Sequence, residues 1–283
     1  MLFRSCCGAT IHEHTYRVTL QPADEWRDDD VDRAWLPSFV LPRDPAVVRI
    51  LDHAQRYLCA LQDCPRAGFD GYGPGDDGNP GAKERVRDQV RAIWTALVLD
   101  FPLGYIGPSS ESGATSQRVR SPSRVLAERR GTCLDLALLV AACLEAIGLD
   151  PVVCLMRGHA LAGYWRTRDA RERWGPAGGG RMDLSAAEPW PVDMDYSPAP
   201  HAFSWMISGR EGCAELARPM AEGALVPLEA TGLTRGMSLG GAEMEGMKWM
   251  GDASRFEAML DIQSARAHPD PVTQLPLEAM AGA

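Results

Sequence analysis

One stretch of the sequence constrains the fold more than any other, the apolar run from Leu134 to Ile147, LDLALLVAACLEAI. Only two charged residues, one near each end, interrupt it. A helix that is apolar on all sides belongs inside a protein core rather than at its surface. Thr132 suits the N-cap of such a helix, and Gly148 suits its end. We therefore expect a central, buried helix that begins at Cys133 and stops before Gly148.

Strand signals follow this helix. Val152 to Met156 is typical of a buried strand, Arg157-Gly158 of a tight turn, and His159 to Trp165 of an antiparallel neighbour. Further on, the segment ALVPLEAT predicts another apolar strand, which ends at Glu229. These elements indicate an α+β fold in which the central helix packs on an antiparallel β-sheet.

The part of the chain before the central helix is predicted to be helical. Asp44-Pro45 is a typical helix start, and apolar residues recur at helical spacing from Val47 to Leu61. Residues 65–81 are rich in Gly, Pro and Asp, which predicts a flexible loop. A second helical pattern follows this loop. We therefore divide the chain into an N-terminal extension, residues 1–81, and a core, residues 82–267.

Two later regions have weaker patterns. Residues 166–223 are mostly polar and rich in Gly and Pro, which predicts an insertion folded over the surface, with a helix within residues 205–221. Arg255 to Arg266 is predicted to be a helix. The last residues, 268–283, are predicted to form a frayed tail.

Charge and cysteine content narrow the partners and the compartment. A net charge of −9 argues against a nucleic-acid partner, because phosphate binding requires a surplus of basic residues. The sequence shows no leader pattern and no apolar segment long enough to span a membrane. Two of its 8 cysteines, Cys143 and Cys154, lie in apolar runs, as free buried thiols do. These features favour a cytoplasmic protein without membrane association and leave its oligomeric state open.

Metal-binding and phosphate-binding patterns are weak. The four metal-ligand candidates near the N-terminus include adjacent cysteines, which are poorly spaced for a zinc site: Cys6, Cys7, His12 and His14. The glycines at 178–180 lack the strand–loop–helix context of a phosphate loop. We therefore expect neither a metal ion nor a cofactor.

Cys133 carries the strongest chemical signal. A thiol at a helix N-terminus faces unpaired N–H groups and the positive end of the helix dipole, which stabilise a thiolate. The helix, turn and strand that follow can return His159 to the helix tip. The alternative interpretation is structural for both residues, a small core thiol and a hydrogen-bonded strand histidine. Because the two occur together, we expect Cys133 to be a nucleophile and His159 its base.

A third residue should fix the orientation of the imidazole. Glu229 is our candidate, because a carboxylate at the end of a buried strand is unfavourable unless it has a partner. The competing acids belong to the predicted insertion, where acids are ordinarily solvated: Asp169, Asp183, Asp193 and Asp195.

Residues 120–165 resemble the transglutaminase-like superfamily of papain-type cysteine enzymes. GTCLDLALL resembles the nucleophile helix of that superfamily, and GHALAGYW resembles its histidine strand. VPLEAT is similar to the acid strand, commonly Val-Asp-Pro-Thr, with Glu229 at the acid and Thr231 at the threonine. FEAMLDIQSARAHPDPVTQLP resembles the segment after the core in bacterial members. The resemblance implies a papain/transglutaminase-like core with a triad of Cys133, His159 and Glu229.

The sequence departs from the superfamily pattern in three respects. Glu229 replaces the usual aspartate, Leu161 replaces an aromatic residue, and His159 and Glu229 are further apart than in compact members. Papain-like sites use an upstream glutamine beside the backbone N–H of the nucleophile to bind the oxyanion. That resemblance makes Gln117 the candidate here, and the alternative for Gln117 is a solvated loop residue.

The expected reaction is acyl transfer on an amide bond through a covalent acyl-enzyme. If water resolves the acyl-enzyme, the protein is a cysteine protease or amidase with a peptide or protein substrate, and the resemblance to bacterial members favours this. If an amine resolves it, the protein is a protein-glutamine transglutaminase. A non-catalytic binding module with the same fold is the third hypothesis.

Overall fold

The computed structural model describes residues 2–4, 10–13, 22–29, 32–73, 81–107, 116–176 and 203–277. Its strands are β1 (Leu2–Arg4), β2 (Thr10–Glu13), β3 (Glu25–Arg27), β4 (Gly104–Tyr105), β5 (Ser116–Arg118), β6 (Arg130–Gly131), β7 (Pro151–Met156), β8 (His159–Trp165), β9 (Met206–Ser208), β10 (Leu225–Leu228) and β11 (Phe256–Asp261). Its α-helices are α1 (Pro45–Leu61), α2 (Ala82–Leu99), α3 (Pro122–Glu128), α4 (Cys133–Ala146), α5 (Arg168–Trp174), α6 (Gly209–Ala221), α7 (Leu239–Met250) and α8 (Ile262–Ala267). Short 3-10 helices lie at Asp32–Phe39 and Ala230–Arg235.

A five-stranded antiparallel sheet, in the order β10-β8-β7-β11-β9, forms the middle of the fold. Successive side chains of a strand point to opposite faces of a sheet. Accordingly, Val153 and Leu155 of β7 belong to the core cluster that contains α4, whereas Val152 and Cys154 belong to the cluster that contains α6. The prediction of an α+β fold with an antiparallel sheet is confirmed.

Helix α4 is the buried central helix that the apolar run predicted. Every side chain from Cys133 to Leu144 is buried. At its start, Thr132 Oγ1 accepts the N–H of Asp135 at 3.2 Å, and the Asp135 carboxylate accepts the N–H of Thr132 at 2.9 Å, which forms a capping box. Gly148, beyond its end, adopts the left-handed conformation that favours glycine, with φ +79°.

The N-terminal helices contribute to the same core. Asp44 caps α1 as expected, with its Oδ1 accepting the N–H of Ala46 at 2.8 Å. Val47 and Ile50 of α1 are fully buried in the cluster that includes Leu136 of α4. A boundary after residue 81 would therefore fall within one hydrophobic core.

The predicted insertion, residues 166–223, contributes to the central sheet and to the core in the parts that the structure describes. Strand β9 is an edge strand of the central sheet. Helix α6 buries Cys213 and Leu216 against the sheet face opposite α4. The predicted helix within 205–221 is therefore present, and it lies in the core because its apolar side chains share one face. Residues 177–202 lie outside the described part of the chain.

The prediction of a helix from Arg255 to Arg266 is wrong for its first half. Strand β11 pairs with β7 on one side and with β9 on the other, and only α8 is helical. Long-range pairing in the middle of a sheet overrides local helical spacing. Residues 268–277, expected to be frayed, pack on the fold instead, with Val272 buried and Leu275 N–H donating to Ser38 O at 2.9 Å.

Candidate active site

Cys133 lies at the tip of the central helix. It is the first residue of α4, directly after the N-cap Thr132, and it is 9% exposed. The first N–H groups of a helix have no partner within the helix, so they face any group at its N-terminus. The thiol therefore occupies a nearly buried position at the positive end of α4.

A bracing network holds the helix tip in place. The buried Asp135 accepts the backbone N–H of Arg120 at 2.8 Å and its guanidinium at 3.1 Å. Gln117 Nε2 donates to Thr132 Oγ1 at 2.9 Å. Gln117 therefore lies beside the tip of α4 with one amide hydrogen bound to the cap, and its contribution to an oxyanion site stays a prediction.

His159 is placed by the hairpin between β7 and β8. Met156 and His159 pair across the turn, and Gly158 takes the left-handed conformation there, with φ +73°. The Nε2 atom of His159 lies 2.7 Å from Glu229 Oε2. Because Nε2 is engaged, Nδ1 is the ring nitrogen left to face Cys133, whose side chain is near enough to raise the pKa of His159. The structure thus brings the predicted nucleophile and base together.

Glu229 follows β10, the neighbour of β8 in the sheet, and is 3% exposed. Its Oε2 faces His159, and its Oε1 accepts the backbone N–H of Thr231 at 2.9 Å and the hydroxyl of Thr231 at 2.7 Å. Among the described residues, Glu229 is the acid that hydrogen-bonds His159. Of the competing acids, Asp169 lies in the first turn of α5, and Asp183, Asp193 and Asp195 lie outside the described residues.

The pKa values of His159 and Glu229 are shifted by burial and by their interactions within the site. Burial alone lowers the pKa of His159, but its interactions with the Cys133 and Glu229 side chains raise it to about 9. Burial raises the pKa of the Glu229 carboxyl, but hydrogen bonds from His159 and Thr231 outweigh this and bring it below its ordinary value. At neutral pH the site therefore holds an imidazolium between a carboxylate and a sulfur atom.

Two residues that sequence reasoning did not single out complete the site. The phenol of Tyr105, in β4, is near enough to Cys133 for that side chain to contribute to the raised pKa of the phenol. Partial burial is the larger cause of this raised pKa, and the interaction with Cys133 comes second. Trp249, in α7, stacks on His159 with ring centroids 4.4 Å apart. Neither residue lies in a segment that resembles a superfamily motif.

Within the described ranges, no group of three or more His, Cys, Asp or Glu side chains is arranged to hold a metal ion. The candidates Cys6, Cys7 and His14 lie outside those ranges, and only the backbone of His12 is described. No helix in the same parts of the chain is long and apolar enough to cross a membrane.

Comparisons with known proteins assign no family. A scan against protein-family models found no match, and a search of the curated proteins found no relative. The functional interpretation therefore rests on the geometry of the site and on the sequence motifs.

Proposed function

We propose that the protein is a cysteine-dependent acyl-transfer enzyme, a peptidase or amidase built on a papain/transglutaminase-like core. One observation carries this proposal. The imidazole of His159 lies 2.7 Å from the Glu229 carboxylate and near enough to Cys133, at the tip of α4, for that side chain to raise its pKa. A nucleophile, a base and an orienting acid in this order are the parts that covalent catalysis by a thiol requires.

The positions of the three residues in the fold support the assignment of the core. The nucleophile begins a buried helix, the histidine begins β8, and the acid follows the adjacent strand β10. This is the order of elements that the resemblance to the transglutaminase-like superfamily implies. A glutamate serves in place of aspartate because its longer side chain is anchored by Thr231.

Acylation begins with the thiolate of Cys133. Its sulfur attacks the carbonyl carbon of an amide, and the carbonyl oxygen becomes an oxyanion in the tetrahedral intermediate. His159 then gives its Nδ1 proton to the amide nitrogen, the C–N bond breaks, and an amine leaves. The products of this step are a thioester on Cys133 and a neutral imidazole, whose orientation Glu229 maintains.

Backbone and side-chain groups near Cys133 can donate hydrogen bonds to the oxyanion. The backbone N–H of Cys133, at the first position of α4, has no helical partner. The Tyr105 phenol, whose pKa responds to Cys133, adds a side-chain donor near the reacting carbon. Gln117 is the other side-chain candidate. One well-placed donor contributes about 10²–10³ in rate.

Deacylation uses the same imidazole as a base. Neutral His159 accepts a proton from water, the resulting hydroxide attacks the thioester, and the acid is released with the thiolate–imidazolium pair restored. A primary amine in place of water would give a new amide. We assign hydrolysis because the nucleophile and histidine motifs resemble those of bacterial members of the superfamily.

Alkylation with iodoacetamide at pH 6 tests the activated thiol. Cys64 is exposed and serves as a reference thiol within the same chain, whereas Cys133 is nearly buried. An ordinary thiol, with a pKa of about 8.5, is mostly unreactive at pH 6. We expect Cys133 to be labelled at least about 10-fold faster than Cys64 by peptide mapping. Labelling of Cys133 no faster than Cys64 would support the binding-module hypothesis instead.

A substrate assay separates the two enzymatic outcomes. The protein is incubated with glutamine-containing peptide amides and a labelled primary amine, and the products are read by mass spectrometry. Hydrolysis predicts new carboxylic acids without amine incorporation, and transamidation predicts incorporation. Cys133→Ala should abolish either product while the thermal unfolding curve stays cooperative, and retained turnover in that variant would refute the mechanism.

A further inference from the structure

We propose that Thr231 is a positioning residue for this site, because its hydroxyl and backbone N–H together hold one oxygen of Glu229 so that the other faces His159. The inference rests on the proposed function of Cys133, His159 and Glu229. Thr231 touches neither the sulfur nor the imidazole in the described contacts, so it would act through Glu229 alone.

The hydrogen bonds divide the Glu229 carboxylate into two roles. Oε1 accepts both donors of Thr231, at 2.9 Å from the backbone nitrogen and at 2.7 Å from the hydroxyl oxygen. Oε2 lies 2.7 Å from His159 Nε2. Because Oε1 is bound twice from one side, rotation of the carboxylate would break both bonds to Thr231. These two hydrogen bonds from Thr231 to Glu229 Oε1, which we call the clamp, therefore set the direction of Oε2.

A clamp of this kind matters more for glutamate than for aspartate. Glutamate has one more rotatable bond, so its carboxylate has more orientations to lose when it is held in one. The Glu229 backbone is itself fixed, since its N–H donates to Ala242 O at 3.0 Å. The remaining freedom lies in the side chain, and the Thr231 hydroxyl is the donor there that a substitution can remove.

The test compares three variants, Thr231→Val, Thr231→Ser and Thr234→Val. Valine has the shape of threonine without the hydroxyl, and serine restores the hydroxyl. Thr234 is a matched control in the same 3-10 helix, because its hydroxyl donates to a backbone carbonyl, Thr231 O, at 2.8 Å. The readouts are kcat/KM on a peptide amide, its pH profile, the pH dependence of Cys133 alkylation, and thermal unfolding.

We expect Thr231→Val to lower kcat/KM by about 10-fold or more, because misplacing a catalytic group by a fraction of an ångström is costly. In Thr231→Val, the fall in kcat/KM at high pH should begin at a lower pH, since a mobile carboxylate stabilises the imidazolium of His159 less. Thr231→Ser should recover most of the activity, and Thr234→Val should leave the pH profile unchanged. If Thr231→Val does not fold, Thr231→Ala removes the same hydroxyl and takes its place.

Two results would overturn the inference about Thr231 and leave the proposed function intact. One is an unchanged pH profile and kcat/KM in Thr231→Val. The other is a loss of activity that follows lower thermal stability, with no shift of the pH profile and no rescue by serine. If wild-type Cys133 shows no enhanced alkylation at pH 6, the proposed function fails first, and the inference fails with it.

Discussion

The indole of Trp249 stacks on the imidazole of His159, with ring centroids 4.4 Å apart and planes inclined by 25°. Helix α7 thereby covers one face of the base, and the guanidinium of Arg255 lies 5.3 Å from the centroid of the same indole. Hydrogen bonds are electrostatically stronger where water is kept away. The stack therefore supports the bond between His159 and Glu229 as well as the orientation of the ring.

Replacing Trp249 tests this role. An aromatic pair contributes about 0.5–1.5 kcal/mol, so Trp249→Ala should lower kcat/KM by about 2- to 10-fold, and Trp249→Phe should retain most of the activity. Steady-state hydrolysis of a peptide amide gives the measurement. Met247→Ala is the control, because Met247 is exposed on the same helix. Equal activity of Trp249→Ala and wild type would show that the stack is dispensable.

The pH profile follows from the raised pKa of His159. Acylation requires the imidazolium, so kcat/KM should persist up to about pH 9 and fall above it, as His159 loses its proton. The pH at which kcat/KM falls reports the coupled titration of His159 and Glu229 rather than that of one residue. Glu229→Gln removes the negative charge that stabilises the imidazolium, so the basic limb should move to lower pH and kcat/KM should drop. A limb that stays in place or moves upward would contradict the assignment of Glu229.

Shortening the acid tests how closely its length is matched to the site. Glu229→Asp cannot keep both the Thr231 bonds and the 2.7 Å contact with His159, because the side chain loses one methylene. We expect a loss of about 10²-fold in kcat, the scale of a 1 Å misplacement. Kinetics of Glu229→Asp beside Glu229→Gln provide the comparison. Wild-type turnover in Glu229→Asp would mean that the backbone adapts and that the length of the acid is unimportant.

The oxyanion donors can be ranked by substitution. Tyr105→Phe removes the phenolic hydroxyl near Cys133, and it should lower kcat by about 10²–10³ with little change in KM. Gln117→Leu removes the donor to Thr132 Oγ1 and should lower kcat less, since that hydrogen bond braces the helix cap. A larger loss in kcat for Gln117→Leu would reverse the ranking and assign the oxyanion role to Gln117.

The features that could be predicted from the sequence are those whose pattern is local. The apolar run, its Thr132 cap and the turn at Gly158 define α4, β7 and β8 within one continuous segment, and these elements carry Cys133 and His159. Glu229 could be proposed because an acid at the end of an apolar strand needs a partner. Its contact with His159 then depends on the pairing of β10 with β8.

The residues that were missed depend on contacts between distant segments. Tyr105 reaches Cys133 because β4 pairs in parallel with β6, which no local pattern reveals. Trp249 lies on a glycine-rich helix, and glycine disfavours helices. Gly246 nevertheless has a packing role in α7, because a Cβ there would lie 2.5 Å from Pro227 O in β10. At Gly246, tertiary packing therefore outweighs the low helix propensity of glycine, in the helix that places Trp249 over His159.

The buried cap of α4 gives a prediction about stability. In the wild type, Asp135 Oδ2 accepts the backbone N–H of Thr132 at 2.9 Å and the guanidinium of Arg120 at 3.1 Å. In Asp135→Asn, an NH₂ group that replaces this oxygen would place its own N–H donors against these two donors. Breaking a buried ion pair costs about 3–5 kcal/mol, and we expect the lower end because Arg120 is partly exposed. Urea denaturation measures the free energy of unfolding. Glu245→Ala, which removes the exposed pair with Lys248, should cost less than about 0.5 kcal/mol. Equal losses in the two variants would show that the capping network does not hold the nucleophile helix in place.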